Sequence, residues 1–201
     1  MMKVNRREFL HRVGAGSIAL ASLPALMDMF KLPALAQSER GVLFLCIDAA
    51  GTHRLAMGGF ARFDPSRGPG SPVTGGGSFF HFQAVGNPPL PIVASGNWKA
   101  RLLTSYKEVA TYAGGAAGVS EFVIDIQRLR PSPALIRGAV LTIYCTLGPA
   151  GVTEAQTGGI EGYTLSIPGT EFSAGGNPGI FRQIPPGGVG VTIFLLPESL
   201  T

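Results

Sequence analysis

The stretch FVIDIQRLRPSPALIRGAVLTIYCTL, Phe122 to Leu147, decides the fold class. In its first part Phe122, Ile124 and Ile126 alternate with Val123, Asp125 and Gln127. In its last, Val140, Thr142, Tyr144 and Thr146 alternate with Leu141, Ile143, Cys145 and Leu147. A period of two sends successive side chains to opposite faces of a strand, and β-branched and aromatic residues suit a pleated surface. Pro131-Ser132-Pro133 lies between them and suits a turn, since proline fixes φ and removes a donor.

The same grammar extends outward. Gly41 to Asp48 is one continuous apolar run, which predicts a strand buried on both faces. Leu55 to Phe63 is a second strand, with Gly58-Gly59 marking a bulge or a close backbone approach. Residues 64–72 are turn chemistry, after which Gly76 to Gln83 pairs back as a hairpin strand; Asn87 to Pro91 is a stiff connector. Along Trp98 to Lys107, Trp98, Ala100, Leu102, Thr104 and Tyr106 alternate with a largely charged face, predicting a half-exposed strand. Leu102, Tyr106, Val109 and Ala113 also fall at helical spacing, so a helix is the rival reading there. Tyr163 to Ile167 and Val189 to Leu196 complete the set, the last stopped by Pro197. About eight short strands between Gly/Pro turns predict an all-β domain, a small antiparallel barrel or sandwich. Gly at 29 and Pro at 16 fit those turns, and 45% apolar residues can fill a core.

The N-terminus reads differently. Asn5-Arg6-Arg7-Glu8-Phe9-Leu10-His11 resembles the twin-arginine motif of bacterial Tat signal peptides: Arg6, Arg7, Phe9 and Leu10 match, whereas Asn5 and His11 depart. A mildly apolar stretch, Val13 to Met27, is too short to span a bilayer core that needs about 20 residues. Ala34-Leu35-Ala36 is a small-x-small site with cleavage expected after Ala36. The expected organisation is a signal peptide over 1–36 and one domain over 37–201. The resemblance implies the Tat machinery and signal peptidase as partners, export to the periplasm or beyond, and no stable membrane span. That pathway carries folded passengers, some with cofactors, but identifies no cofactor here. Gly14 to Ala19 spells a dinucleotide-binding look-alike, yet it sits inside this signal core and lacks a preceding strand.

Charge follows the same division. The chain has 16 basic and 12 acidic side chains; without the five basic and two acidic ones of residues 1–36, 11 face 10. A net charge of +1 with no basic stripe excludes a nucleic-acid surface.

Candidate chemistry is sparse. Cys46 and Cys145 are the only cysteines, and an exported chain would allow a disulfide closing a loop of about 100 residues, worth ~4–5 kcal/mol; two separate buried thiols are the alternative. His53 and His81 lack the company that makes a metal site. Gly75 to His81 resembles the cupin G-x₅-H-x-H segment, but Gln83 stands where the second His belongs, so no metal ligands are assigned. Gly96-Asn97-Trp98 resembles the lipocalin G-x-W, and Trp98 is expected to plug a core with its N–H bonded. Asp48, Glu108, Glu121 and Asp125 lie on or beside apolar segments, Asp125 facing water by alternation. No catalytic residue is assigned; His53, His81, Trp98, Glu108 and Asp125 form the candidate pocket set.

Gly59 to Asp64, Gly75 to Phe82, Gly96 to Lys99 and Gly148 to Gly151 together resemble uncharacterised exported bacterial β-proteins, which implies the fold and no activity. The leading functional expectation is a non-enzymatic module for a small apolar ligand or a partner surface. It is motivated by Phe44, Phe60, Phe63, Phe79, Phe80, Phe82, Trp98 and Phe122, which could line a cavity. A barrel-type cyclase or isomerase with few polar residues is one alternative. A surface or assembly component that pairs its last strand in a homo-oligomer is another.

Overall fold

The computed structural model describes residues 36–84, 91–112, 115–146, 154–169, 179–185 and 189–197. Arg6, Arg7, Phe9, Leu10 and Ala34 lie outside them; Ala36 is the first described residue and is exposed. The strands are β1 (Arg40–Ala50), β2 (His53–Phe63), β3 (Thr74–Gln83), β4 (Ile92–Tyr112), β5 (Gly115–Arg130), β6 (Ala134–Cys145), β7 (Gly162–Ser166), β8 (Ile180–Phe181) and β9 (Gly190–Leu195). One short helix, α1 (Glu154–Thr157), precedes β7. The domain is all-β, and every strand pairing is antiparallel.

Strands β1 to β8 pair in chain order, and the ends of the sheet meet. Ala49 of β1 and Arg182, just after β8, exchange both backbone bonds, at 2.8 and 2.9 Å. One position back, Ile47 N donates to Val189 O, and Cys46 then faces Gly190 at the start of β9. β8 and β9 are therefore two halves of one eighth strand along β1. Asp48 is the β1 residue between these two pairings. Pro185, which follows Gln183 and Ile184, has no N–H to donate to a ladder. β9 also pairs with the start of β5 through Gly115 and Ala116, so the sheet closes into a barrel.

The two barrel ends are built differently. One gathers the β1–β2 turn, the end of β3, the starts of β4, β6 and β8, and the ends of β5 and β7. At the other, the β4–β5 hairpin curls over the opening. Four register shifts along β4 bend it, as bulges do. They carry the Tyr106 ring onto Phe63 and Phe194, edge-on at 5.2 and 5.6 Å. The first of these shifts beyond Trp98, between Ala100 and Leu102, also changes the strand's phase. Leu103 is buried and Leu102 is exposed, the reverse of the strict alternation expected from the sequence. The rival helix over residues 98–113 does not form: 98–112 are strand throughout.

The interior is one cluster. Phe44 packs on Trp98 and Tyr163 at 5.7 and 5.9 Å, and Phe63 packs on Phe122 at 5.3 Å. Trp98 Nε1 donates to Gly58 O at 3.1 Å, the partner expected for a buried indole. Of the aromatic set, Phe44, Phe63, Phe79, Trp98 and Phe122 are buried, but Phe80 points outward and Phe60 and Phe82 are half-buried. Gly58-Gly59 marks a close approach rather than a bulge, since the β2 registers run without a shift there. A Cβ on Gly59, whose φ is 156°, would lie 2.4 Å from Gly76 O and 2.7 Å from Trp98 Cζ2. Among the described residues no helix is long and apolar enough to cross a membrane.

Candidate functional site

The loop-bearing end holds a polar group inside apolar walls. Register places Asp48, Leu55, His81 and Ala94 on one row across β1 to β4, all facing inward. Asp48 and His81 are fully buried, two strands and about 10 Å of backbone apart. His53, two residues before Leu55 on the same face, sits beside His81, with Nδ1 to Nε2 at 2.8 Å. Phe181 stands edge-on to His81 at 5.4 Å. Tyr163, deep between them, donates its hydroxyl to Leu55 O at 2.5 Å.

Burial acts in opposite directions on the two titrating groups. It favours the neutral form of each, raising a carboxyl and lowering an imidazole. The Asp48 carboxyl is pushed up to about 8, its bond from Tyr163 N opposing that only in part. His81 is pushed down to about 4, by burial and then by the neighbouring His53 charge. Near pH 7 Asp48 thus holds a proton and His81 does not, the inverse of their order in water. Asp48 Oδ2 accepts from Tyr163 N at 3.2 Å, whereas the buried Oδ1 has no hydrogen-bond partner among the described residues. Gln183, which follows the bridge to β1, is bonded by Thr164 Oγ1 through its Oε1, and its buried Nε2 likewise has no partner among the described residues. Both side chains press on the bare Cα of Gly162, where a Cβ would lie 3.2 Å from Asp48 Oδ1 and 3.3 Å from Gln183 Cγ.

A second polar group closes the seam that the broken strand leaves. The buried Glu161 carboxyl accepts from Thr146 N at 2.7 Å, from Thr146 Oγ1 at 3.1 Å and from Thr192 N at 2.5 Å. These backbone donors stand where strand pairing lapses, so Glu161 satisfies them as a ladder would. Burial raises its pKa despite those bonds. Cys46 and Cys145 flank the same strand with no disulfide between them: Cys46 Sγ lies 3.6 Å from Thr192 Oγ1, and Cys145 Sγ donates to Thr192 O at 3.1 Å. The disulfide that the sequence permits is therefore not formed, because each thiol is turned to β9 instead. Burial pushes the Cys46 thiol up to about 12, which leaves it protonated and unreactive.

Of the candidate pocket residues, the fold brings together only His53 and His81, with Trp98 further along the interior. Glu108 is at the opposite end, accepting from Tyr106 Oη at 3.0 Å and pairing with Arg40 at 3.4 Å. Asp125 faces outward, as alternation requires, and pairs with Arg101 at 3.6 Å. Gln183, Glu161 and Tyr163 were not among the sequence candidates. Their only local signal is a polar group set among glycines and apolar residues, as in Gly159-Ile160-Glu161-Gly162-Tyr163. Among the described residues no three His, Cys, Asp or Glu side chains converge as a metal site would need. Comparison of the chain with protein-family models, with curated proteins and with solved structures returns no match.

Proposed function

We propose that the chain is an exported binding protein whose barrel takes up a small, largely apolar ligand at its loop-bearing end, with Asp48 and the His53–His81 pair meeting the ligand's polar group. The observation that carries this reading is the buried row Asp48–Leu55–His81, polar chemistry set among apolar residues at the end that no strand among the described residues crosses. The other end is occupied by Tyr106. Export rests on Arg6, Arg7, Phe9 and Leu10 and on the cleavage site at Ala34 and Ala36. Cleavage there would leave β1, which begins at Arg40, whole. The test is a native intact mass of the protein recovered from the exported fraction, followed by an NMR titration with 2-tetralone. Expected are a mass that starts at Gln37 and shifts confined to residues near His81. A chain starting at Met1 would remove the export reading, and a silent titration would remove the ligand.

One observation favours a second reading, acid–base catalysis on a ketone. The neutral Asp48 carboxyl and the neutral His81 imidazole, on one wall, are both in working form near pH 7. Asp48 would give its proton to the carbonyl oxygen while an imidazole takes the α-hydrogen. The C–H electron pair becomes the C=C bond of the enol, and return of the two protons restores both groups. Exchange of the α-hydrogens of 2-tetralone in D₂O, lost in Asp48→Asn, is the expected result. Binding without exchange would leave only the first reading.

A further inference from the structure

The chain enters the barrel through a short approach that is tied down residue by residue. Glu39 N donates to Ala36 O at 2.8 Å and Ala36 N donates to Glu39 Oε2 at 2.7 Å, so Gln37 and Ser38 form the corner of a turn. Past the corner, Ser38 Oγ donates to Asp64 Oδ2 at 2.9 Å and Glu39 pairs with Arg62 at 3.4 Å. Arg40 then opens β1 and pairs with Glu108 at 3.4 Å. Gln37 is the exception. It is exposed, and its side-chain amide makes no hydrogen bond among the described residues. Cleavage after Ala36 would remove both bonds made by Ala36 and leave Ser38 as the first residue held to the barrel.

We propose that Gln37, once that cleavage makes it the first residue, closes on itself to pyroglutamate, a step that rests on the export reading and not on the ligand. The new α-amine attacks Cδ of its own side-chain amide, and the bond from Cδ to the amide nitrogen breaks. That nitrogen leaves as ammonia, taking the proton that the amine gives up. One amide replaces another in a five-membered ring, with no oxidant, reductant or cofactor. An α-amine, with a pKa of about 8, is partly uncharged and nucleophilic near neutral pH, as a lysine is not. Both reacting groups belong to one residue, so a bond rotation replaces an encounter. The structure adds the freedom to do so, since no bond holds the Gln37 amide away from its own nitrogen. The consequence is a sealed entry to β1. Only Gln37, Ser38 and Glu39 precede it, so an aminopeptidase would reach the strand that β2 and β9 both pair with after three cuts. A lactam offers such an enzyme no amine.

The intact mass and the N-terminal peptide of the protein recovered from the exported fraction test this, beside a Gln37→Ser variant. Expected is a wild-type chain that starts at Gln37, lighter than its sequence by one ammonia, with the loss mapped to Gln37 and no amine open to stepwise degradation. Gln37→Ser is expected to keep its full mass and a free amine. A chain that starts at Gln37 but holds its full mass and a free amine, even after incubation at mildly alkaline pH, overturns the proposal and leaves export standing. An ammonia loss that maps to another residue overturns it too. A chain that starts anywhere but Gln37 removes it together with the cleavage reading.

Discussion

The seam side of the barrel, β7 to β9 with β1, and the far side, β4 to β6, use the same strand geometry under opposite rules. On the far side apolar residues face in and charges face out, apart from the buried Arg128 that bonds Ser132 O, and the strands pair in long ladders interrupted by bulges. On the seam side β8 and β9 meet β1 as two separate pieces, and two carboxyls, Asp48 and Glu161, enter the interior to bond the backbone donors of Tyr163, Thr146 and Thr192. The lesson concerns where titratable groups come to lie. A buried acid replaces missing strand pairing, and its displaced acidity follows from that position. Chemistry and architecture therefore meet at the one place where the barrel fails to close by ladder alone.

The sharpest way to set the sides apart is through stability. Phe44→Ala empties the space between Trp98 and Tyr163 and is expected to cost about 3–5 kcal/mol in chemical denaturation. A loss below about 1 kcal/mol would mean that the seam side is loosely packed.

Next in size is the pH dependence. Asp48, raised in the folded protein, contributes stability that is complete below its unfolded value near 4 and is lost as pH rises towards 8. His81, lowered to about 4, contributes stability present above about 6.5 and lost as pH falls. Between pH 4 and 6.5 the two slopes oppose and cancel. From pH 6.5 to 8, of these two only the slope of Asp48 remains, about 1.4 kcal/mol per unit, so Asp48 is expected to lower the unfolding free energy by about 2 kcal/mol beyond whatever the raised Glu161 contributes in the same direction. Asp48→Asn keeps an acceptor for Tyr163 N and removes the ionisation, so its curve should fall by about 2 kcal/mol less than the wild type's over that window. A wild-type curve that rises from pH 6.5 to 8 would show that Asp48 is ionised in the fold.

The smallest effect belongs to the far side. Arg101 is half-exposed where it meets Asp125, so Arg101→Ala should change stability by less than about 1 kcal/mol, with most of that effect lost in salt. A larger loss would show that the charged wall also holds the curled β4 in place.

Much of the fold was legible beforehand, because a strand's faces are written in its period. The alternation of Phe122 to Gln127 placed Asp125 outside and opposite Ile124, as they are found, and that of Val140 to Leu147 marked a strand whose Leu141, Ile143 and Cys145 prove to be the buried face. Period failed where geometry shifted it: the register change between Ala100 and Leu102 buried Leu103 in place of Leu102. It also stopped short at the start of β5, where Gly115 to Ser120 are small residues with no alternation to read. The two-residue β8 was too brief to register as a strand.

The site was much less legible. His53 and His81 could be named as residues, but the 2.8 Å contact between them depends on how β2 registers against β3. Asp48 stood at the end of an apolar run with nothing to mark it as interior, and Glu161 and Gln183 were invisible. The sequence alone determined an all-β domain, its main strands and the faces of the regular ones, since these follow from side-chain spacing along a single chain. Closure of the barrel, the split last strand, the two separate thiols and the inverted acidities were decided only in three dimensions. Each depends on which strands become neighbours and on what water is excluded there, and spacing along a chain encodes neither.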